Sequence, residues 1–231
     1  MLKPKKGISK REIKQDKLVT TYFNSRKWIE QNRRLVSYVA STVAVLIAVW
    51  WFVDNNRRQS NERATTDLAK VYQLYDQGQF QLAIDGIPQE NIRGLQSIVD
   101  EYGSTPSGEM AKLYLANSYF NTGNNEKALK AYNDVDVKDK LLSSAALAGA
   151  ASCYEALGNH EEAGILFEKA ASRYMTGLQG PDNLFKAASN FSAAGKKAKA
   201  TEVLRNLKKE FPTSAYARDI ERYYVEFGTL G

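Results

Sequence analysis

The hydrophobic pattern changes character three times along the chain. Residues 35–53 (LVSYVASTVAVLIAVWWFV) contain no charge, proline or glycine. As a helix rising about 1.5 Å per residue, such a run spans a hydrocarbon core of roughly 30 Å. Buried helices of soluble domains seldom stay uncharged beyond about 14 residues, so the run predicts one transmembrane helix. Trp50, Trp51 and Phe52 at one end and Tyr38 at the other suit the two interfacial aromatic belts. The run is too long for a signal-peptide core and is followed by WWF rather than a small-x-small cleavage site, so the anchor is expected to be retained.

Before the anchor, residues 1–10 show no packing pattern and are expected to be disordered. A helix is expected over 10–32, with Leu18, Tyr22 and Ile29 on one stripe, Val19 and Phe23 beside it, and lysines and arginines opposite. Two roles fit it: a surface-lying amphipathic helix, or a basic flank that only sets topology. After the anchor, 54–66 form a polar juxtamembrane segment, and 67–231 are helical in pattern without sustained strand alternation. Pro88, Pro106, Pro181 and Pro212 punctuate that region. The expected helices are 61–77, 91–102, 107–121, 126–135, 140–157, 160–174, 183–194, 197–211 and 214–227.

These helices come in related pairs. Leu115-Ala116-x-x-Tyr119-x-x-x-Gly123-x-x-x-x-Ala128-x-x-x-Tyr132 aligns with Ala150-Ala151-x-x-Tyr154-x-x-x-Gly158-x-x-x-x-Ala163-x-x-x-Phe167. A third copy is Ala187-Ala188-x-x-Phe191-x-x-x-Gly195-x-x-x-x-Ala200-x-x-x-Leu204, and the glycines stand 35 and 37 residues apart. The small pair allows two helices to approach, the aromatic fills the gap between hairpins, and glycine supplies a left-handed exit from the first helix. This set resembles the tetratricopeptide repeat, although Lys112, Leu147 and Leu184 stand where its usual tryptophan would be. Residues 72–86 keep the spacing of Gly78 and Ala83 and read as a degenerate first repeat interrupted by an insertion at 87–91. The final helix, with Arg218, Asp219, Glu221 and Arg222 exposed, would cap the stack. The fold class expected is all-α, one transmembrane helix followed by an α-solenoid of tetratricopeptide-type hairpins.

Charge adds an orientation. The chain carries +6, but residues 1–34 hold eleven basic side chains against Glu12, Asp16 and Glu30, a local +8, leaving −2 for the rest. The positive-inside rule then keeps the N-terminus in the cytoplasm and sends the repeat domain across. Because the basic excess sits in the tail, no nucleic-acid partner is expected, and the tail can instead touch anionic headgroups. The single Cys153 allows no intramolecular disulfide and lies too far from the N-terminus for a lipoprotein anchor.

Catalytic chemistry is sparse. His160, the only histidine, falls on a hairpin turn where a solvated residue is expected, and Cys153 reads as a small buried filler. One histidine and one cysteine assemble neither a nucleophilic triad nor a zinc site, and Gly195-Lys196-Lys197 lacks the upstream glycine of a phosphate loop. The run Lys196, Lys197, Lys199, Lys208 and Lys209 reads as a solvated face. No enzyme, cofactor or metal site is expected.

A solenoid offers a concave surface lined by the first helix of each pair. The repeat register assigns to it Leu113, Tyr114, Asn117, Phe120 and Asn121, then Ala148, Ser152 and Glu155, then Phe185, Lys186 and Ser189. Aromatics and amides with few charges suit an extended or unfolded peptide. Gly149 and Asp182 occupy positions where a clamp for a C-terminal carboxylate would want Lys or Arg, so that specialisation is rejected. Basic tail, single anchor and repeat domain, in that order, resemble the bacterial YfgM-like family. That resemblance implies an ancillary subunit of the Sec translocon in the bacterial inner membrane. Its periplasmic repeats would work with chaperones and receive secretory clients. The alternative expectation is a structural scaffold for an envelope assembly or another inner-membrane complex.

Overall fold

The computed structural model describes residues 10–177 and 179–228, with side chains from residue 20 onward. The disorder expected of the extreme N-terminus, and the side chains of Leu18 and Val19, lie outside what is described. The chain divides into two compact units, residues up to Asn56 and residues from Arg57.

In the first unit, α1 (Lys10–Gln31) is followed after one residue by α2 (Arg33–Asp76), which continues into the second unit. Asn32 does not end the ladder. Its backbone N–H donates to Trp28 O and its own carbonyl accepts from Val36 N. On α1 the expected apolar stripe is interrupted. At about 100° per residue, Arg26 falls between Ile29 and Phe23, while Trp28 falls well outside the stripe. Tyr22, Phe23, Trp28 and Ile29 are all exposed. The apolar part of α2 is likewise exposed around its circumference, from Leu35 to Val53, with none of its most apolar stretch buried. By length and composition it is the one helix among the described residues apolar enough to cross a membrane.

The second unit is a stack of helical hairpins. α5 (Pro106–Asn121) pairs with α6 (Asn125–Asn133), α7 (Lys140–Ala156) with α8 (His160–Arg173), and α9 (Gln179–Ala193) with α10 (Lys197–Glu210). Gly123, Gly158 and Gly195 take φ of 78°, 78° and 74° at the three turns. Each turn closes with the same two backbone bonds. Asn124 N donates to Tyr119 O and Gly123 N to Phe120 O; Asn159, Gly158, Lys196 and Gly195 repeat the scheme. This is the Schellman closure of a helix by a left-handed glycine. Gly78, at φ 73°, makes it a fourth time, with Gln79 N to Leu74 O and Gly78 N to Tyr75 O. The C-terminal part of α2 is thus the first helix of the degenerate repeat.

The second helix of that repeat is broken. After α3 (Phe80–Asp85), Gly86–Ile87 (β1) pairs antiparallel with Ile92–Arg93 (β2) around a 3₁₀ turn, Pro88–Glu90, and α4 (Leu95–Tyr102) then resumes. A helix expected from residue 91 therefore starts at 95. The strands are two residues long, too short to show any alternation. A Cβ on Gly86 or Gly94 would come within 2.4 or 2.2 Å of neighbouring backbone, which fixes both residues as glycine. Arg93 ties the insert down through Asp67, the Tyr102 hydroxyl, Ser97 and Glu101.

Three apolar clusters, one behind another, form the core. Tyr132 and Phe167 are buried in successive clusters; the crossing-point alanine Ala128 lies with Tyr132, and Ala163 and Ala200 lie with Phe167. Thr105 and Ser214 cap α5 and α11 (Ala215–Arg218) alike, each accepting from the backbone N–H three residues on, which explains why 102–106 and 211–214 look similar. The expected final helix is divided at Asp219 into α11 and α12 (Ile220–Glu226), with Arg218, Asp219, Glu221 and Arg222 exposed.

Candidate partner-binding surface

Counting back from each turn glycine selects one equivalent face of the first helix of each pair. Six and three residues before the glycine stand Tyr72 and Tyr75, Asn117 and Phe120, Ser152 and Glu155, and Ser189 and Ser192. The face runs from aromatic and amide at its N-terminal repeats to hydroxyl and carboxylate at its C-terminal ones.

The N-terminal end is an aromatic patch. Tyr114 lies 5.3 Å from Tyr72 and 4.8 Å from Tyr75 by ring centroid, and Phe80 meets Tyr75 edge-on at 5.6 Å. Asn117 holds the patch to the core. Its Nδ2 donates to the Tyr75 hydroxyl at 3.1 Å and its Oδ1 accepts from the Tyr132 hydroxyl at 2.5 Å. Burial raises the pKa of Tyr114, with Tyr72 and Tyr75 adding to the rise, and burial pushes Tyr132 up further. Both remain hydroxyl donors at neutral pH. Asn121 is exposed and donates to Asn117 O, and Phe120 is half-buried against the middle cluster.

Other expected members stand elsewhere. Leu113 is a correction: at 7% exposure it packs in the middle cluster with Ala146, Ala150 and Cys153, and offers a partner nothing. Phe185 is covered by the C-terminal helices, stacked on Tyr216 at 4.5 Å and 14° and flanked by Tyr223 and Phe227. Tyr216 donates to Asp182, and burial followed by that bond pushes its pKa up to about 12. Lys186 is half-buried, ion-paired to Asp182 at 3.0 Å and placed over the Phe167 ring. Ala148 and Ser189 are half-buried; Ser152 donates to Ala148 O. Glu155 is exposed and accepts from Asn190.

His160 also differs from expectation. Rather than being solvated, it is half-buried, its Nδ1 2.9 Å from Oδ1 of the buried Asn190, which donates to Glu155 and to Lys186 O. Cys153 is fully buried, and burial alone pushes its thiol up to about 11. The basic run is exposed except for the half-buried Lys199, and four of its members are ion-paired: Lys196 to Glu161, Lys199 to Glu168 and Glu202, Lys208 to Glu221, Lys209 to Glu210. Among the described residues no group of three His, Cys, Asp or Glu could hold a metal ion.

Tyr72 and Tyr75 were not among the residues assigned to the surface from sequence. The signal was available, since extending the glycine register to Gly78 selects both.

The model of a tetratricopeptide repeat-like domain matches residues 26–179, a span that includes the apolar run, and that of a tetratricopeptide repeat matches 182–214. The chain belongs to the tetratricopeptide repeat-like family. Proteins of this family are typically non-enzymatic scaffolds whose tetratricopeptide repeats bind proteins or peptides. Two crystal structures of nearly identical TPR-like repeats, from a Podosopora anserina protein described as a kinesin light chain, share the fold at a TM-score of 0.56. They are 17% and 18% identical and cover 74% of this chain and 89% of their own. At that identity the likeness concerns the tetratricopeptide fold alone. Among curated proteins, none matches.

Proposed function

We propose that the protein is a membrane-tethered scaffold that presents its repeats on the periplasmic face of a bacterial inner membrane. There it serves as an ancillary translocon or chaperone-network subunit and receives secreted or envelope proteins in extended form. The observation that carries this reading is an apolar helix exposed on all sides, preceded by a +8 flank and followed in the same chain by a protein-binding repeat domain. An uncovered apolar cylinder in water is unfavourable by about 25 cal/mol per Å² of apolar surface, and a bilayer removes that cost. The basic flank supports an N-in orientation and a favourable position against anionic headgroups. The family match supports the anchor as part of the domain's architecture, because it begins before the apolar run. Tethering raises the effective concentration of the repeats near any channel in the same membrane.

Two measurements test it together. Protease added to intact spheroplasts should digest the repeats and spare the extreme N-terminus. A photoreactive amino acid at the exposed Asn121 should crosslink, in living cells, to a translocon subunit or to secretory chains. Protection of the repeats, or crosslinks to neither class, removes the reading.

A further inference from the structure

The α7–α8 hairpin has a charged recess away from the face that the turn glycines select. It lies at the end of the hairpin remote from Gly158, has a volume of about 350 Å³, and is lined by Ser143, Leu147, Lys169, Ser172 and Arg173. Two hydrogen bonds join its walls. Ser144 Oγ donates to Ala170 O at 2.8 Å, and Arg173 Nε donates to Ser143 Oγ at 3.0 Å. The second lays the Arg173 side chain across from α8 to α7. It leaves the two terminal guanidinium nitrogens without a bond among the described residues.

Charge selects the class of ligand. Two cations line the recess, and no acidic side chain does. Neither Lys169 nor Arg173 has an ion pair among the described residues, whereas Lys196, Lys199, Lys208 and Lys209 of the next hairpin all do. Lysine and arginine carry donors and no acceptor, so the pair offers an anion several charged donors and a cation nothing. A cation in the last turn suits the helix dipole, which accounts for Arg173 at the end of α8. It does not account for Lys169 four residues earlier, because like charges at that spacing oppose each other on a helix. An anion bound between them relieves that repulsion. Leu147, half-buried, adds an aliphatic wall beside the charges.

We propose that this recess takes a glutamate or aspartate side chain of a bound polypeptide. The planar guanidinium fork pairs with a carboxylate through two parallel N–H···O bonds, and the Lys169 ammonium adds a point charge. The methylenes of the acidic side chain lie against Leu147. Tetratricopeptide repeats bind proteins or peptides, and carboxylates are the anions that such a partner carries in its own sequence. The inference goes beyond the function proposed above. It needs only the protein-binding character of the family, whichever side of a membrane the repeats occupy.

A photoreactive amino acid replaces Ile165, which is exposed one turn before Lys169 on the same helix face. The whole chain in detergent micelles is irradiated with a rhodamine-labelled Glu-Ser repeat peptide or with the matching Gln-Ser peptide. The Glu-Ser peptide should crosslink, less so at high salt, and the Gln-Ser peptide should not. Arg173→Ala should reduce the crosslink by about tenfold, the scale of one charge-assisted pair. Arg173→Lys, which keeps the charge without the fork, should reduce it less. Leu147→Trp should also reduce it, by filling the recess while both cations stay. Arg205→Ala, which removes an exposed cation elsewhere, should leave it unchanged. Arg173 is exposed, so circular dichroism should show its variants folded. Equal crosslinking of the two peptides, or an undiminished crosslink in folded Arg173→Ala or Leu147→Trp, overturns the proposal. So does a crosslink to phosphatidylglycerol mixed into the micelles that excludes the peptide, which would assign the recess to a lipid headgroup.

Discussion

Single side chains decide how closely these helices approach. Gly149 is the sharpest case, because a Cβ there would lie 2.2 Å from the Tyr132 ring, whose hydroxyl bonds Asn117. Gly149→Ala should cost about 1–3 kcal/mol, the scale of overpacking in a filled core. Gly158 isolates the other glycine effect. Nothing lies within 4 Å of an added Cβ, but φ is 78°, so Gly158→Ala should cost about 1–2 kcal/mol through conformation alone. Urea unfolding of the two variants distinguishes crowding from strain: a compensating smaller residue at Tyr132 can relieve only the first. The repeat alignment reached Gly158 through its turn position. It gave no reason for Gly149, since a close approach between two helices leaves no mark on either one read alone.

At the scale of elements, the glycine turns and crossing alanines were legible because each combines one residue type with one fixed offset. The insert at Gly86–Arg93 was legible only as an interruption, because two-residue strands carry no period. Its anchoring is electrostatic and can be titrated. The hydrogen bond from Arg93 holds the Glu101 carboxyl below its ordinary pKa, with a smaller contribution from Tyr102. A carboxylate with a depressed folded-state pKa contributes stability above its unfolded pKa and loses it as pH falls through the folded value. Glu101→Gln should therefore melt below the wild type at neutral pH, and the two melting curves should converge in acid. A gap that persists unchanged into acid would mean that this ion pair does not hold the insert. The groove assignments failed at Leu113 and Phe185 for one shared reason. Register tells which way a helix position points, whereas what covers it comes from another helix: the neighbouring hairpin for Leu113, and α11 and α12 for Phe185.

For the repeat unit as a whole, the C-terminal segment is the closure of the stack. Ala217, Ile220, Tyr223 and Phe227 complete the last apolar cluster, and Ser192 donates to Phe227 O. Truncation before Ser214 should uncover Phe185 and the outer side of α10. The expected result is enhanced binding of a hydrophobic dye and loss of the last hairpin before the others, read by hydrogen exchange. Unchanged exchange in α9 and α10 would show that the cap is dispensable.

The grading of this repeat face, from tyrosine through asparagine and phenylalanine to serine and glutamate, has a kinetic consequence. A polypeptide laid along it meets high friction at the end bearing the tyrosines and little at the other. On the function proposed above, such a face would grip near one terminus and let the remainder slide, so release would proceed as peeling from the less adhesive end. The lifetime of the captured chain would then be set by the last aromatic contact to break.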